Sequence, residues 1–171
     1  VTMPIQSEAE LEASLIDRLT TLGYSRVPIH TVDALHANLQ RQLEIHNNIS
    51  LSAGEFAKIL NHLNKGNVFA RAKTLRDRFQ LTRDDGTSAY IQFLDTEHWC
   101  QNQYQVTSQV SVAGRYNTRY DVTLLINGLP LVQIELKRRG MEMKEAFNQI
   151  NRYQRHSFWA HSGLFQYVQL F

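Results

Sequence analysis

Asp121, Glu135 and Lys137 are the residues of this chain whose types and spacing offer chemistry. They fall in "YDVTLLINGLPLVQIELKRRG" (120–140), two apolar runs around the turn signal "NGLP". Read as antiparallel strands over 121–126 and 131–137, the runs put Asp121 and Thr123 on one face and Val122, Leu124 and Ile126 on the other. Gln133, Glu135 and Lys137 share a face of the second strand, and Val132, Ile134 and Leu136 share its opposite. The tightest register that matches apolar with apolar sets Asp121 directly opposite Glu135. Opposed Cβ atoms lie roughly 4.5–5.5 Å apart, where like charges are destabilising. A divalent cation offsets that repulsion, and two carboxylates plus water is a coordination that Mg²⁺ favours. With Lys137 two residues along, the parts suit metal-assisted phosphodiester hydrolysis. A wet, charged sheet face softened by Lys137 fits the same pattern.

Two helices must bring further groups to the hairpin. "SEAELEASLIDRLTTLGY" opens with the capping box Ser7/Glu10 and has Gly23 as its terminator. Its apolar stripe is Leu11, Leu15, Ile16, Leu19 and Leu22, and Glu12 falls inside it. Glu10 has its capping role, and the helix dipole welcomes Glu8 in the first turn. Glu12 has neither, so it is either a rim acid reaching water or a third acid aimed at the sheet. In "MKEAFNQINRYQRH" the stripe is Met143, Ala146, Phe147 and Ile150, with Gln149 and Tyr153 one turn apart along its edge. That pair is either part of the site or an amide and a phenol at a core boundary.

The remaining pattern frames one α/β unit around a mixed β-sheet flanked by helices. Residues 31–46 and 53–64 read as helices separated by "HNNISLS". "RFQLT" and "AYIQFL" flank the turn "RDDGTS", "YQVTSQVSV" alternates as a strand, and "LFQYVQLF" reads as a last strand. The 171 residues are 43% apolar and 20% charged, which excludes a disordered or fibrous chain. No apolar run approaches a membrane span, and a single Cys100 leaves no intrachain disulfide, so the chain is expected to be cytoplasmic. Net charge is only +2, but residues 113–156 carry eight basic groups against four acids, and "RAKTLRDRF" (71–79) four against one. Such patches suit a phosphate backbone, as they also suit an ordinary solvated face. The histidines show no zinc spacing: His98-Trp99-Cys100 lacks a second ligand pair, and His156 with His161 stands alone.

Asp121 followed by Glu135-Leu136-Lys137 resembles the D…ExK signature of the PD-(D/E)xK nuclease superfamily. Gln149 and Tyr153 look like the QxxxY motif of its RecB-like branch, and Glu12 resembles the first-helix acid of several members. "YDVTLLINGLPLVQIELKRRG" with "EAFNQINRY" is similar to the amino-terminal nuclease domain of type I restriction enzyme R subunits (HsdR). Tyr120 stands where the motif's name has Pro. The resemblance implies a restriction-endonuclease-like fold over 1–171, a single endonuclease domain at the start of a longer chain. It further implies Mg²⁺ on Asp121, Glu135 and the Leu136 carbonyl, with Lys137 acting on the attacking water or the scissile phosphate. Gln149, Tyr153 and Glu12 would be accessory or DNA-contacting residues. Double-stranded DNA would be the substrate, with methyltransferase and specificity subunits as partners. No Walker A loop occurs, so the family's ATP-driven motor would lie beyond Phe171. A stand-alone RecB-like or junction-resolving nuclease, and a nuclease-like module that only binds DNA or docks subunits, are the alternatives.

Overall fold

The computed structural model describes residues 6–113, 118–138, 140, 142–153 and 163–171, the side chain of Tyr153 excepted. Its centre is a four-stranded sheet in the order β1-β4-β5-β6. β1 (Ser25–Arg26) runs parallel to β4 (Tyr104–Val112), and β5 (Thr118–Ile126) is antiparallel to both β4 and β6 (Leu129–Ile134). A separate hairpin, β2 (Arg78–Thr82) with β3 (Ser88–Gln92), flanks the sheet. The mixed α/β architecture is that of a restriction-endonuclease-like fold, as the sequence leads one to expect.

Helix α1 (Glu8–Thr21) begins on the expected capping box. The Ser7 hydroxyl accepts the Glu10 N–H at 3.2 Å, and the Glu10 carboxylate accepts the Ser7 N–H at 2.7 Å. It stops at Gly23, whose φ of 100° suits a residue without Cβ. Ile16 and Leu19 bury against Val106, Val122 and Leu124 on one face of the sheet. Leu22, expected in that stripe, is the C-cap and lies 77% exposed, because the chain turns away there.

The opposite face carries the larger core. α2 (Val32–Asn47) contributes Leu35, Leu39 and Leu43, and α3 (Ala53–Leu63) contributes Phe56, Ile59 and Leu63. A reciprocal amide pair ties α2 to β4: Asn38 Nδ2 donates to Gln105 Oε1 at 2.9 Å, and Gln105 Nε2 returns a bond at 3.2 Å. α3 starts on a second capping box, Ser52/Glu55, and the buried Glu55 also receives the Arg83 guanidinium at 3.1 Å and the Asp84 N–H. These donors, Arg83 foremost, hold the Glu55 carboxyl down to about 2. The "RDDGTS" turn is thereby pinned to the start of α3.

Three segments depart from the sequence reading. Val68–Arg76 forms a helix, α4, started by the Asn67 cap, where only a basic run was read. Its single buried residue, Leu75, leaves little periodic signal to find. The last apolar run is a 3₁₀ turn (Leu164–Tyr167) followed by one parallel bridge, Val132 to Leu170, and not a strand. Phe165 and Tyr167 are drawn into the main core, and Tyr167 donates its hydroxyl to the Leu63 carbonyl at 2.7 Å, which a straight strand would not allow. In α5 (Met143–Tyr153), Met143 and Phe147 are 89% and 63% exposed, while Ala146, Gln149 and Ile150 are half-buried. The helix is rotated so that Gln149 faces the hairpin.

The β5–β6 turn is built to be rigid. Asn127 and Gly128 take φ of 49° and 83°, the pair of left-handed residues that a two-residue hairpin needs. Asn127 is fully buried and satisfied on all sides. It donates to the Phe93 carbonyl at 2.9 Å and to Asn102 Oδ1 at 2.8 Å, and accepts the Gln103 N–H at 2.8 Å. α2 crosses directly over the turn, so a Cβ on Gly128 would sit 2.8 Å from Leu39 Cα. Gly128→Ala is therefore expected to lower stability by roughly 1–3 kcal/mol through backbone strain and overpacking. Gly86→Ala, with a similar φ of 82° but open space around it, should cost less. Chemical unfolding of both variants measures the difference.

Candidate active site at the end of the hairpin

The observed register pairs Val122 with Ile134, Thr123 with Gln133 and Leu124 with Val132. That is the register read from the sequence, and extended by one residue it sets Asp121 against Glu135. The ladder itself stops at Ile134, and Glu135 to Lys137 leave the strand. Nor is the shared face wet. Thr123 and Gln133 are 0% and 1% exposed and bond to each other at 2.7 Å. The face that Thr123 and Gln133 share is therefore buried and not open to solvent.

Both faces of the sheet exchange at the level of Asp121. On β5, Tyr120 belongs to the core beneath α2 and α3, whereas Val122 belongs to the core beneath α1. On β4, Val106 belongs to the α1 side and Val110 to the other. Residues two apart on a regular strand share a face, so each strand must break its alternation between these pairs. On β4 the break is at Gln109, whose φ is 57°. On β5 it falls at Asp121, which the β4–β5 register places against Gln109.

Glu135 is the most strongly placed group of the site. Its side chain is 2% exposed. Oε1 receives Lys137 Nζ at 3.4 Å and the side-chain amide of Gln149 from α5, whereas Oε2 is buried with no hydrogen-bond partner. Burial and the adjacent Asp121 charge, only partly opposed by Lys137, push its carboxyl up to about 7. Asp121 is oriented by the Leu136 N–H, which donates to Oδ2 at 2.9 Å. Lys137 is 21% exposed, so its ammonium bridges the buried acid and the opening.

A cleft of about 380 Å³ opens over Asp121 and Leu136, lined also by Glu8, Ala9, Glu12, Gln109 and Arg119. Glu12 thus reaches the site, held there by a hydrogen bond from the Gln109 amide. It does not join Asp121 and Glu135 as a ready-made ligand cluster. Among the described residues no group of three or more His, Cys, Asp or Glu side chains meets as a metal site. Two opposed carboxylates with one buried, unpartnered oxygen still fit a cation that keeps most of its water, as Mg²⁺ does. The Leu136 N–H is engaged with Asp121, and Tyr153, His156 and His161 lie outside the described side chains.

Glu8, Gln109 and Arg119 were not singled out from the sequence. Glu8 stands one helical turn before Glu12, a spacing that could have revealed it. Gln109 sits in an alternating strand with no mark of the left-handed backbone it adopts. Arg119 precedes Asp121 by two residues, a position legible only once the strand's faces are known.

The raised pKa of Glu135 contributes to the pH dependence of the metal-free protein, against His36, His46 and His62, whose depressed pKa values act in the opposite sense. At Glu135 the folded state binds a proton more tightly than the unfolded chain, so the group favours folding below its unfolded value of 4.5. That contribution is lost as pH rises through about 7. Over this window it amounts to roughly 3 kcal/mol. Glu135→Gln should flatten the fall in thermal stability between pH 5 and pH 8, measured in chelator, and added Mg²⁺ or Mn²⁺ should restore stability above pH 7 to the unmodified protein only.

The chain matches the family model of the type I restriction enzyme R protein N terminus over residues 5–171. It is 47% identical over 99% of its length to the type I restriction enzyme SsaAORF53P endonuclease subunit of Staphylococcus saprophyticus, and covers 18% of that protein. It is 40% identical over its whole length to the EcoprrI endonuclease subunit of Escherichia coli, covering 56% of it. To the HindI endonuclease subunit of Haemophilus influenzae it is 33% identical over 47% of its length, covering 8% of that protein. The chain therefore spans only part of these relatives, and by the family match over nearly its full length it belongs to the type I restriction enzyme R protein N-terminal family.

Proposed function

We propose that this chain is the Mg²⁺-dependent DNA endonuclease domain of the R subunit of a type I restriction-modification enzyme. The observation that carries this reading is the meeting of Asp121, Lys137 and Gln149 around the buried Glu135 side chain at one hairpin end, in a chain of this family. Its relatives named as endonuclease subunits support it further. Substrate would be double-stranded DNA, and methyltransferase and specificity subunits would complete the assembly. ATP-driven translocation would belong to other parts of the full subunit.

Asp121 and Glu135 would hold the cation, with the Leu136 carbonyl as a further ligand. When bound, Mg²⁺ supplies Lewis-acid polarisation of the phosphate and lowers the pKa of a bound water. The residues of the chain supply the rest. Gln149 and Lys137 fix one oxygen of Glu135, which leaves its other, unpartnered oxygen for the cation. The Leu136 N–H aims Asp121. The ammonium of Lys137, at the rim of the buried pair, lies where it can stabilise charge developing on the phosphate or orient the attacking water. Below about pH 7 a proton competes for the same unpartnered oxygen, so cation binding should weaken as pH falls.

In the assembled enzyme, Asp121→Ala, Glu135→Ala and Lys137→Ala should each lower DNA cleavage by at least ~10³-fold, in the range seen on losing an essential electrostatic group. ATP hydrolysis should persist. Cleavage retained in all three variants would exclude the reading, and Mn²⁺ bound between Asp121 and Glu135 in a soaked crystal would support it. DNA binding indifferent to the first two changes, without divalent-ion binding, would instead favour a non-catalytic module.

A further inference from the structure

Gln109 is an uncommon residue in an uncommon place. A non-glycine residue with φ of 57° in the interior of a nine-residue strand has no turn to justify it. Such outliers persist only where their surroundings enforce them, and they gather at functional sites. Here the neighbours are specific. Gln109 lies opposite Asp121 in the register that joins Ser108 to Val122 and Val110 to Tyr120. It lines the same cleft as Asp121, and its Nε2 donates to Glu12 Oε2.

The left-handed turn has a geometric consequence. With regular alternation Gln109 would share its side of the sheet with Thr107 and Gln105, two and four residues before it, which are buried toward Ile29 and α2. The break in alternation brings its amide to α1 instead. There it donates to the Glu12 carboxylate, whose other oxygen meets no protein donor among the described residues. That oxygen is available to water in the cleft.

Resting on the nuclease reading above, we propose that Gln109 is a positioning residue of the site. Its amide clamps Glu12 over the cleft, so that Glu12 orders the water facing Asp121. The left-handed backbone is what lets the amide reach α1 from the strand beside Asp121. Groups that orient water or ligands from outside the immediate ligand set commonly tune metal affinity and rate by 10- to 100-fold.

The test uses the full-length subunit in its assembled enzyme. Gln109→Gly suits the left-handed backbone and removes the whole side chain, amide included; Gln109→Asn tolerates the same φ and keeps an amide one methylene shorter. Cleavage rate, the Mg²⁺ concentration for half-maximal cleavage, ATP hydrolysis and thermal stability are measured for each. Gln109→Gly is expected to keep its stability and ATP hydrolysis, lose about 10- to 100-fold in cleavage rate, and need more Mg²⁺. Gln109→Asn should recover part of that loss. Glu12→Gln combined with Gln109→Gly should be no worse than the more damaging single change. Wild-type cleavage and Mg²⁺ dependence in Gln109→Gly, or losses that multiply in the double variant, would overturn the proposal. If Gln109→Gly fails to fold, Gln109→Asn decides with Glu12→Gln by the same double-variant comparison. Asp121→Ala, Glu135→Ala and Lys137→Ala serve as controls: cleavage surviving all three overturns the nuclease reading itself, whereas its loss in them alongside full activity of Gln109→Gly overturns only the clamp.

Discussion

Two carboxylates forced together at the buried end of a hairpin are the constraint around which this structure is arranged. Asp121 and Glu135 repel, and burial strengthens the repulsion by removing water that would screen it. The protein holds them by fixing the backbone on every side. The Asn127–Gly128 turn is locked into the core by three hydrogen-bonded neighbours and by α2 passing over it. The ladder shifts by one residue between Leu124 and Leu125 and then runs in register as far as Ile134. Beyond it, the Leu136 N–H satisfies Oδ2 of Asp121, while Lys137 and Gln149 both donate to Oε1 of Glu135. Oε2 of Glu135 is left buried with no donor.

The contrast with Glu55 shows that this vacancy follows from the choice of partners and not from burial alone. Glu55 is 3% exposed as a whole residue, comparably hidden, yet its carboxyl is held down to about 2 by Arg83 and two backbone N–H groups. It is a structural acid with every oxygen satisfied, joining a turn to a helix start. Glu135 is buried beside the Asp121 charge with only one cation to oppose it, so it is pushed up to about 7. The same side chain is thus stabilised as an anion in one place and kept short of positive charge in the other. An acid that takes either a proton or a cation near neutral pH is what a metal-assisted site requires.

The sheet also explains how residues from distant parts of the chain meet. Its two faces carry separate cores, and the strands exchange faces at Gln109 and Asp121. At that level the sheet offers no regular apolar face to either helix layer. A cleft forms there, and α1 leans over it with Glu8 and Glu12. The site therefore occupies the seam where two packings meet, and α5 completes it through Gln149.

Much of this was legible in the residues themselves. The Asn-Gly turn determined the hairpin, and alternation its register near Asp121, because a slip there would turn every apolar side chain the wrong way; the one-residue shift between Leu124 and Leu125 that joins the two left no mark in the pattern. The Ser-x-x-Glu box and Gly23 determined α1, and "YQVTSQVSV" determined β4, since these signals act over a few neighbouring residues. Asp121, Glu135 and Lys137 followed from the register, and Gln149 from a motif. Only the tertiary structure decided the rest. It decided that Thr123 and Gln133 are buried, that Leu22, Met143 and Phe147 are exposed, and that the final apolar run curls into a 3₁₀ turn. It decided that Glu12 is clamped by Gln109 over the cleft without joining a three-acid cluster. The reason is physical: periodicity records which side chains share a face, but which face meets another layer, and where a strand must break to form a cleft, depends on contacts between residues far apart in the chain.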